Sequence, residues 1–369
     1  MNGDIKYDKS ETLSLNGLKG FACLIIAFVW HYQHFAPANG SPFYSIFNVS
    51  YRSGLYFVEL FFMVSGFVMT LGYASKVASR EIRFGAFMKR RILKIYPLYL
   101  VALLLVTMAE AVYRHGNGTT FVYENFDLKH FLMHLFCVQG GILSTDWSFN
   151  APSWCITICL VMYLLFFMIM RTFGIRKATV LPWAALFVAG NIIVWKDADM
   201  PVINQLMARG LICFPLGVLL AFLWLNAPEK VKLPSGIIAV AGAAAIYLYL
   251  RNTDPLDPDK TQMIYSFAFS PLLIIAALNF MPLNRILASR PAQYLGKLSV
   301  PIYLLHFFVQ CSIATLDRHF EWGLNYSGRK VWLLYVVITL AVAAIYQAVS
   351  AQIAIKVKAV SDPGSSTSA

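Results

Sequence analysis

Charge is what this chain has least of. Of its 369 residues, 13% are Asp, Glu, Lys or Arg and 59% are hydrophobic, whereas a soluble globular protein carries roughly a quarter charged residues. That shortfall excludes a soluble domain. Acidic residues are scarcer than basic ones, 18 against 30, for a net charge of +12. Cysteine is sparse as well. The six cysteines (23, 137, 155, 159, 213 and 311) all lie in apolar stretches without metal-ligand spacing, so no metal is expected. Cys155 and Cys159, four apart on one apolar run, read as buried inert thiols. No internal repeat is visible, which weighs against the duplicated architecture common among secondary transporters.

What the chain does have is long apolar runs, many reaching the ~20 residues that span hydrocarbon as a helix. Ten candidate spans follow: 15–35, 55–73, 92–113, 152–173, 179–196, 205–225, 234–251, 262–281, 297–316 and 331–355. The predicted fold class is therefore an all-α, polytopic integral membrane protein with about ten transmembrane helices. Residues 126–143, "FDLKHFLMHLFCVQGGIL", are apolar but short and broken by Gly140 and Gly141, so they read as a re-entrant or interfacial helix. With this count, 20 of the 30 Lys and Arg fall in segments on one side and 9 on the other, Arg209 lying inside a span. Excess Lys and Arg mark the cytoplasmic side, which puts both termini in the cytoplasm. Topology and anionic lipid headgroups then account for the net charge, and no nucleic-acid partner is needed. The domain plan is a cytoplasmic segment 1–14, a transmembrane unit 15–355 opening on an uncleaved first span, and a disordered cytoplasmic tail 356–369.

Ionisable groups at membrane depth are costly and mark function by default. His31 closes the first run, "ACLIIAFVWHYQHFAP", about four residues from its outer end. Glu59, in "GLYFVELFFMVSGF", lies about four residues into the next, antiparallel span. At 1.5 Å per residue both sit ~6 Å below the outer surface, so the carboxylate can hold one ring nitrogen and raise the basicity of the other, as a general base requires. The alternative is a helix–helix hydrogen bond that glues the bundle. His34, one turn on, reads as interfacial. His306, mid-span in "LGKLSVPIYLLHFFVQ", fits either the same cavity or a satisfied core position.

Two further stretches stand out. In "FMKRRILKIYPLYL", Lys89, Arg90, Arg91 and Lys94 crowd the cytoplasmic mouth of the third span. Positive-inside bias explains two or three of them; the rest suits a polyanion such as a nucleotide diphosphate. Lys19 shares that level and lies ~18 Å from His31 along the first helix, so cation and imidazole can serve opposite ends of one long ligand. On the outer side, "NAPSWCITICLVMYLLFF" opens the fourth span with Asn150, Ser153, Trp154 and Thr157. With Tyr32, Phe35 and Trp147 these form either an interfacial anchor or a sugar-stacking mouth.

Taken together, these segments resemble the membrane acyltransferase family 3. "GLKGFACLIIAFVWH" is similar to that family's opening "GLRG…H" helix, "FFMVSGFVM" to its second-span signature, "FMKRRILKIYPLYL" to its basic third-span segment, "PSWCITI" to its "P-x-W-S" segment and "LGKLSVPIYLLHFFV" to its late "Y-L-x-H" span. Five such segments fall in the family's order across nearly the whole chain. The resemblance implies transfer of an acyl group, usually acetyl, from cytosolic acyl-CoA to a sugar hydroxyl on the extracytoplasmic face of the inner membrane, with the donor as substrate and no bound cofactor. His31 then matches the family's essential first-helix histidine, Lys19 stands where the family has arginine, and Arg90, Arg91 and Lys94 match its donor-side motif. Two departures are visible. Eleven residues separate Lys19 from His31 where the family has ten, a difference that a single π-helical turn would absorb. Cys159 stands where the family pattern usually has glutamate, leaving Glu59 as the expected acidic partner of His31. The same residues also fit a transporter or flippase for a lipid-linked glycan or organic anion, and a catalytically inactive relative.

Overall fold

The computed structural model describes residues 12–361, with side chains as far as residue 353. The expected N-terminal segment therefore lies outside the described residues up to position 11, and the expected tail beyond position 361. Among the described residues, ten helices are long and apolar enough to cross a membrane, in the order and near the positions that the hydropathy pattern predicts.

The chain begins with α1 (Leu13–Leu24), which passes into a π-helical stretch at Ile25–Trp30 and a 3-10 turn at His31–Phe35. A short helix α2 (Tyr44–Ser53) then feeds α3 (Phe57–Ala78). The second apolar helix thus starts at Tyr44, earlier than hydropathy suggests. α2 mixes polar Asn48, Ser50 and Arg52 with its aromatics, so it does not read as a continuous apolar run. Next come α4 (Phe84–Asn117), the short α5 (Leu128–Leu135), α6 (Trp154–Phe173) and α7 (Val180–Trp195). A two-residue hairpin, β1 (Asp199–Met200) with β2 (Ile203–Asn204), leads into α8 (Gln205–Asn226) and α9 (Glu229–Asn252). The next span, like the first, is interrupted: α10 (Pro258–Ile264), a π-helical stretch at Tyr265–Phe269, and α11 (Ser270–Asn279). α12 (Met281–Ala288), α13 (Arg290–Phe320) and α14 (Arg329–Ser361) complete the chain.

Burial divides these helices into two sets. α1, α3, α6, α8 and α13 are mostly buried, whereas α4, α7, α9 and α14 show most of their apolar surface, as helices facing lipid do. The inner set packs in two tight pairs, α3 with α8 and α1 with α13. Small residues make the α3–α8 approach possible. A Cβ on Gly66 would overlap the carbonyl of Phe214, and one on Gly217 the carbonyl of Met63. In lipid, where apolar contact alone gives helices no reason to associate, such close backbone packing supplies the attraction.

Residues 126–143 do not cross the bundle. α5 is eight residues long, capped where the Asp127 side chain accepts from His130 N, and the chain then turns through Gly140 and Gly141 at positive φ. Asn204 ties this turn to the hairpin. Its Nδ2 donates to Gly141 O at 2.8 Å while its Oδ1 caps α8 by accepting from Met207 N.

Candidate active site

The alternation of the spans brings the end of α1 and the starts of α3, α6 and α8 to one end of the bundle. Each inner helix contributes one polar group near that level: His31, Glu59, Trp154 with Cys155, Arg209, and from α13 Tyr303 with His306. The π-helical stretch matters here. His31 N–H bonds to Ile26 O, five residues back, so the wider turn takes up the one extra residue between Lys19 and His31. In a regular α-helix, twelve steps of about 100° would leave Lys19 and His31 roughly 120° apart.

His31 is 6% exposed and meets a histidine, not a carboxylate. Its Nδ1 lies 2.8 Å from Nε2 of His306, whose own Nδ1 lies 2.7 Å from Tyr303 O. The two rings are nearly parallel, 7° apart, with centroids at 4.8 Å, the arrangement of rings joined edge to edge. The protons can be placed from the partners. A carbonyl only accepts, so His306 Nδ1 carries hydrogen; in the neutral ring His306 Nε2 then accepts, and His31 Nδ1 donates. This leaves the lone pair of His31 on Nε2. No described residue bonds to that nitrogen, and it is not among the sealed polar atoms.

His34 is different, although its ring stacks on that of His31 at 4.9 Å. Gln310 Nε2 donates to His31 O at 2.7 Å, so Gln310 Oε1 accepts from His34 Nδ1 at 3.1 Å. His34 Nε2 then accepts from the Tyr123 hydroxyl at 3.2 Å. Both nitrogens are occupied, and the ring sits inside the site as a strut.

The predicted Glu59–His31 pair is not formed. Glu59 is fully buried and both its oxygens are held by Arg209, with Nε donating to Oε1 at 2.6 Å and Nη2 to Oε2 at 2.8 Å. The two residues do lie near one end of the bundle, but a guanidinium one turn into α8 must find a counter-charge when buried. A bidentate carboxylate satisfies it better than a neutral imidazole would. The Arg209 guanidinium also lies 4.8 Å over the Trp154 ring. Trp154, with Asn150 and Ser153, is buried, so these three do not form the open surface of a sugar-stacking mouth. Asn150 Nδ2 donates to Leu304 O at 2.9 Å, Ser153 Oγ donates to Asn150 O, and the Tyr303 hydroxyl donates to Pro152 O. These bonds pin the start of α6 against α13.

At the opposite end the four cations of α4 divide. Lys89 and Arg90 are exposed and make no hydrogen bond or ion pair with a described residue. Arg91 turns inward, lying 4.3 Å over the Tyr73 ring and donating to its hydroxyl and to Met69 Sδ. Lys94 interacts electrostatically with both Arg91 and Lys19. Three cations thus gather without a carboxylate among the described residues, an arrangement suited to an anion. A file of side chains runs from there toward His31: Tyr163, bonded to Ser65 at 2.9 Å, then Cys159, then Cys155, which donates to the Tyr303 hydroxyl at 3.3 Å. Cys159, where the family pattern has glutamate, belongs to this file and not to the histidine pair.

The loop after α4 covers the histidine end. Within it, burial lowers the His134 imidazole to about 4, so the ring is neutral near pH 7. It serves as a tether, with Nε2 on Ser148 Oγ at 3.1 Å and its backbone carbonyl accepting from the Tyr99 hydroxyl.

A family profile described as an acyltransferase domain matches residues 12–348. The chain belongs to this acyltransferase family. It is 27% identical over 326 residues to acyltransferase MdmB of Streptomyces mycarofaciens, covering 80% of this chain and 78% of that protein. It is 23% identical over 368 residues to nodulation protein 10 of Rhizobium leguminosarum bv. viciae, covering 92% of each. No solved structure matches it. The acyltransferase thus has, around one accessible imidazole nitrogen, residues that its sequence singles out (His31, His34 and His306) and others that it does not. Among the latter, Tyr123, Gln310 and Tyr303 carry no mark in an apolar sequence. Arg209 carries a weak one, as a basic residue inside a span.

Proposed function

We propose that this acyltransferase moves an acyl group, acetyl foremost, from cytosolic acyl-CoA to a hydroxyl of an extracytoplasmic glycan. It would do so in the inner membrane, with both termini in the cytoplasm and no bound cofactor. His31 Nε2 takes the proton of the acceptor hydroxyl as its oxygen attacks the thioester carbonyl. The new C–O bond forms, the C–S bond breaks, and the CoA thiolate leaves with the proton returned from His31. His306 fixes the tautomer that makes this possible. A positioned general base contributes typically 10²–10⁴-fold. Lys19, Arg91 and Lys94 hold the phosphates of the donor, with Lys89 and Arg90 at the surface to attract it, and the file through Tyr163, Cys159 and Cys155 accommodates the thiol arm.

The observation that carries this reading is the lone pair of His31, directed to Nε2 by His306 and left without a partner among the described residues, in a chain of this family. The test is transfer of radiolabel from [acetyl]-CoA to glycan in membranes containing the protein, measured as alkali-labile ester. Label should appear with the unmutated protein and not with His31→Ala. If no label moves while a lipid-linked glycan crosses the membrane, the transporter reading replaces this one.

A further inference from the structure

The Glu59–Arg209 pair has no part in the scheme above, and its stability alone does not explain it. A buried ion pair can often be exchanged for apolar side chains of similar size without loss, and here both residues are buried where α3 meets α8. A guanidinium has five N–H groups. Nε–H is taken by Glu59 Oε1, and the two on Nη2 by Glu59 Oε2 and Leu55 O. The two on Nη1 bond to no described residue, yet Nη1 is not among the sealed polar atoms. Its surroundings are those of the reaction. The Arg209 guanidinium lies 4.8 Å over the ring of Trp154, the next residue, Cys155, donates to the Tyr303 hydroxyl at 3.3 Å, and Tyr303 is the residue whose carbonyl holds His306.

We propose that Arg209 is a second catalytic residue of this acyltransferase, donating from Nη1 to the acyl carbonyl oxygen as the tetrahedral intermediate forms. Glu59 and Trp154 are its positioning residues. The inference rests on the acyl-transfer reading and extends it. When the hydroxyl adds to the carbonyl carbon, the C=O electron pair moves to oxygen; when the C–S bond breaks, it returns. Arg209 keeps its proton throughout. The charge balance favours this ligand over a resident anion such as a sugar carboxylate. Glu59 already neutralises Arg209, so a full negative charge would face a cation and a carboxylate together. An oxygen that becomes negative only in passing is stabilised by the fixed donor without displacing Glu59, as in other preorganised oxyanion sites.

The test uses the full-length protein purified in detergent or reconstituted. In Glu59→Leu with Arg209→Met, both charges are removed together and neither is left unpaired. This double variant should melt near the unmutated protein and keep its KM for acetyl-CoA. It should lose about 10²–10³-fold in kcat, the usual effect of removing one oxyanion donor. Slow hydrolysis of acetyl-CoA without acceptor should fall by the same factor, since water attacks the same carbonyl. Retention of a third or more of kcat would overturn the inference. So would a loss confined to the acceptor's KM with hydrolysis intact, which would make Arg209 an acceptor-binding group. Should the double variant not fold, Arg209→Lys supplies the reading, because an ammonium cannot grip Glu59 bidentately and also reach the carbonyl. A tenfold or greater fall in kcat at unchanged KM supports the proposal, and full kcat overturns it. Absence of transfer by the unmutated protein would instead overturn the acyl-transfer reading itself.

Discussion

His31 and His34 carry the same side chain one turn apart, and hydrogen bonding makes them chemically unlike. His34 spends both nitrogens on Gln310 and Tyr123; His31 spends one on His306 and keeps the other. His31→Ala is therefore expected to lower transfer by 10²–10⁴-fold without loss of folded protein, while His34→Gln, able to keep hydrogen bonds to its neighbours, should cost less than tenfold. Initial rates in membranes at matched expression distinguish them. Equal losses would make His31 a structural residue like its neighbour. The sequence marks these two and His306 because an imidazole at membrane depth is rare. It does not show which way each points. Residues per turn place Glu59 near the level of His31 but leave the helix faces open, and Arg209 is the partner that depth counting alone does not select.

At the scale of single elements, the π-helical stretch is the feature most tightly coupled to function. The comparison of an eleven-residue gap with the family's ten calls for one wide turn, and the wide turn is at Ile25–Trp30. β-Branched Ile25, Ile26 and Val29 are no strong helix formers, so this is where a regular helix yields most easily. Deleting Ala27 should let α1 close into a continuous α-helix and restore the family's spacing. Lys19 and His31 would keep their relative face, but the segment from His31 onward would draw back by one residue and strain the bonds to His306 and Gln310. The expected outcome is a folded protein with transfer reduced at least tenfold, checked by circular dichroism and the label assay. Full activity would show that the extra residue is neutral. The loop of residues 118–150, by contrast, is legible only in outline. Its glycines predict the break in 126–143, but nothing in its composition announces that His134, Tyr99 and Ser148 tie it down.

For the molecule as a whole, the ten helices and their order follow from hydropathy, because a bilayer demands one apolar helix per crossing. What hydropathy cannot give is which helices lie inside. Runs of nearly equal apolarity end up buried, as in α3 and α8, or facing outward, as in α9 and α14; close approaches such as those at Gly66 and Gly217 hold the buried pair together. Orientation is proposed from charge, since Lys and Arg favour the cytoplasmic side. With the termini in the cytoplasm, single cysteines placed in 197–203 or 252–261 should react from outside with an impermeant maleimide, and cysteines in 74–88 only after the membrane is opened. The reverse pattern would put the Arg91 cluster on the wrong side for a cytosolic donor.

The paired histidines have one more consequence, for the cell's energetics. Among the described residues, the one ring that could relay a proton inward from His31 is His306, and beyond His306 stands the carbonyl of Tyr303, which cannot accept a proton and release another. The line is closed at its far end. In the mechanism proposed here, the proton that leaves the acceptor goes back out through the same nitrogen, to the departing thiolate, and this pair carries none of it across the bilayer. Transfer across the bilayer would then draw its driving force from the thioester alone, and should run at the same rate in vesicles whether or not an uncoupler has collapsed their proton gradient.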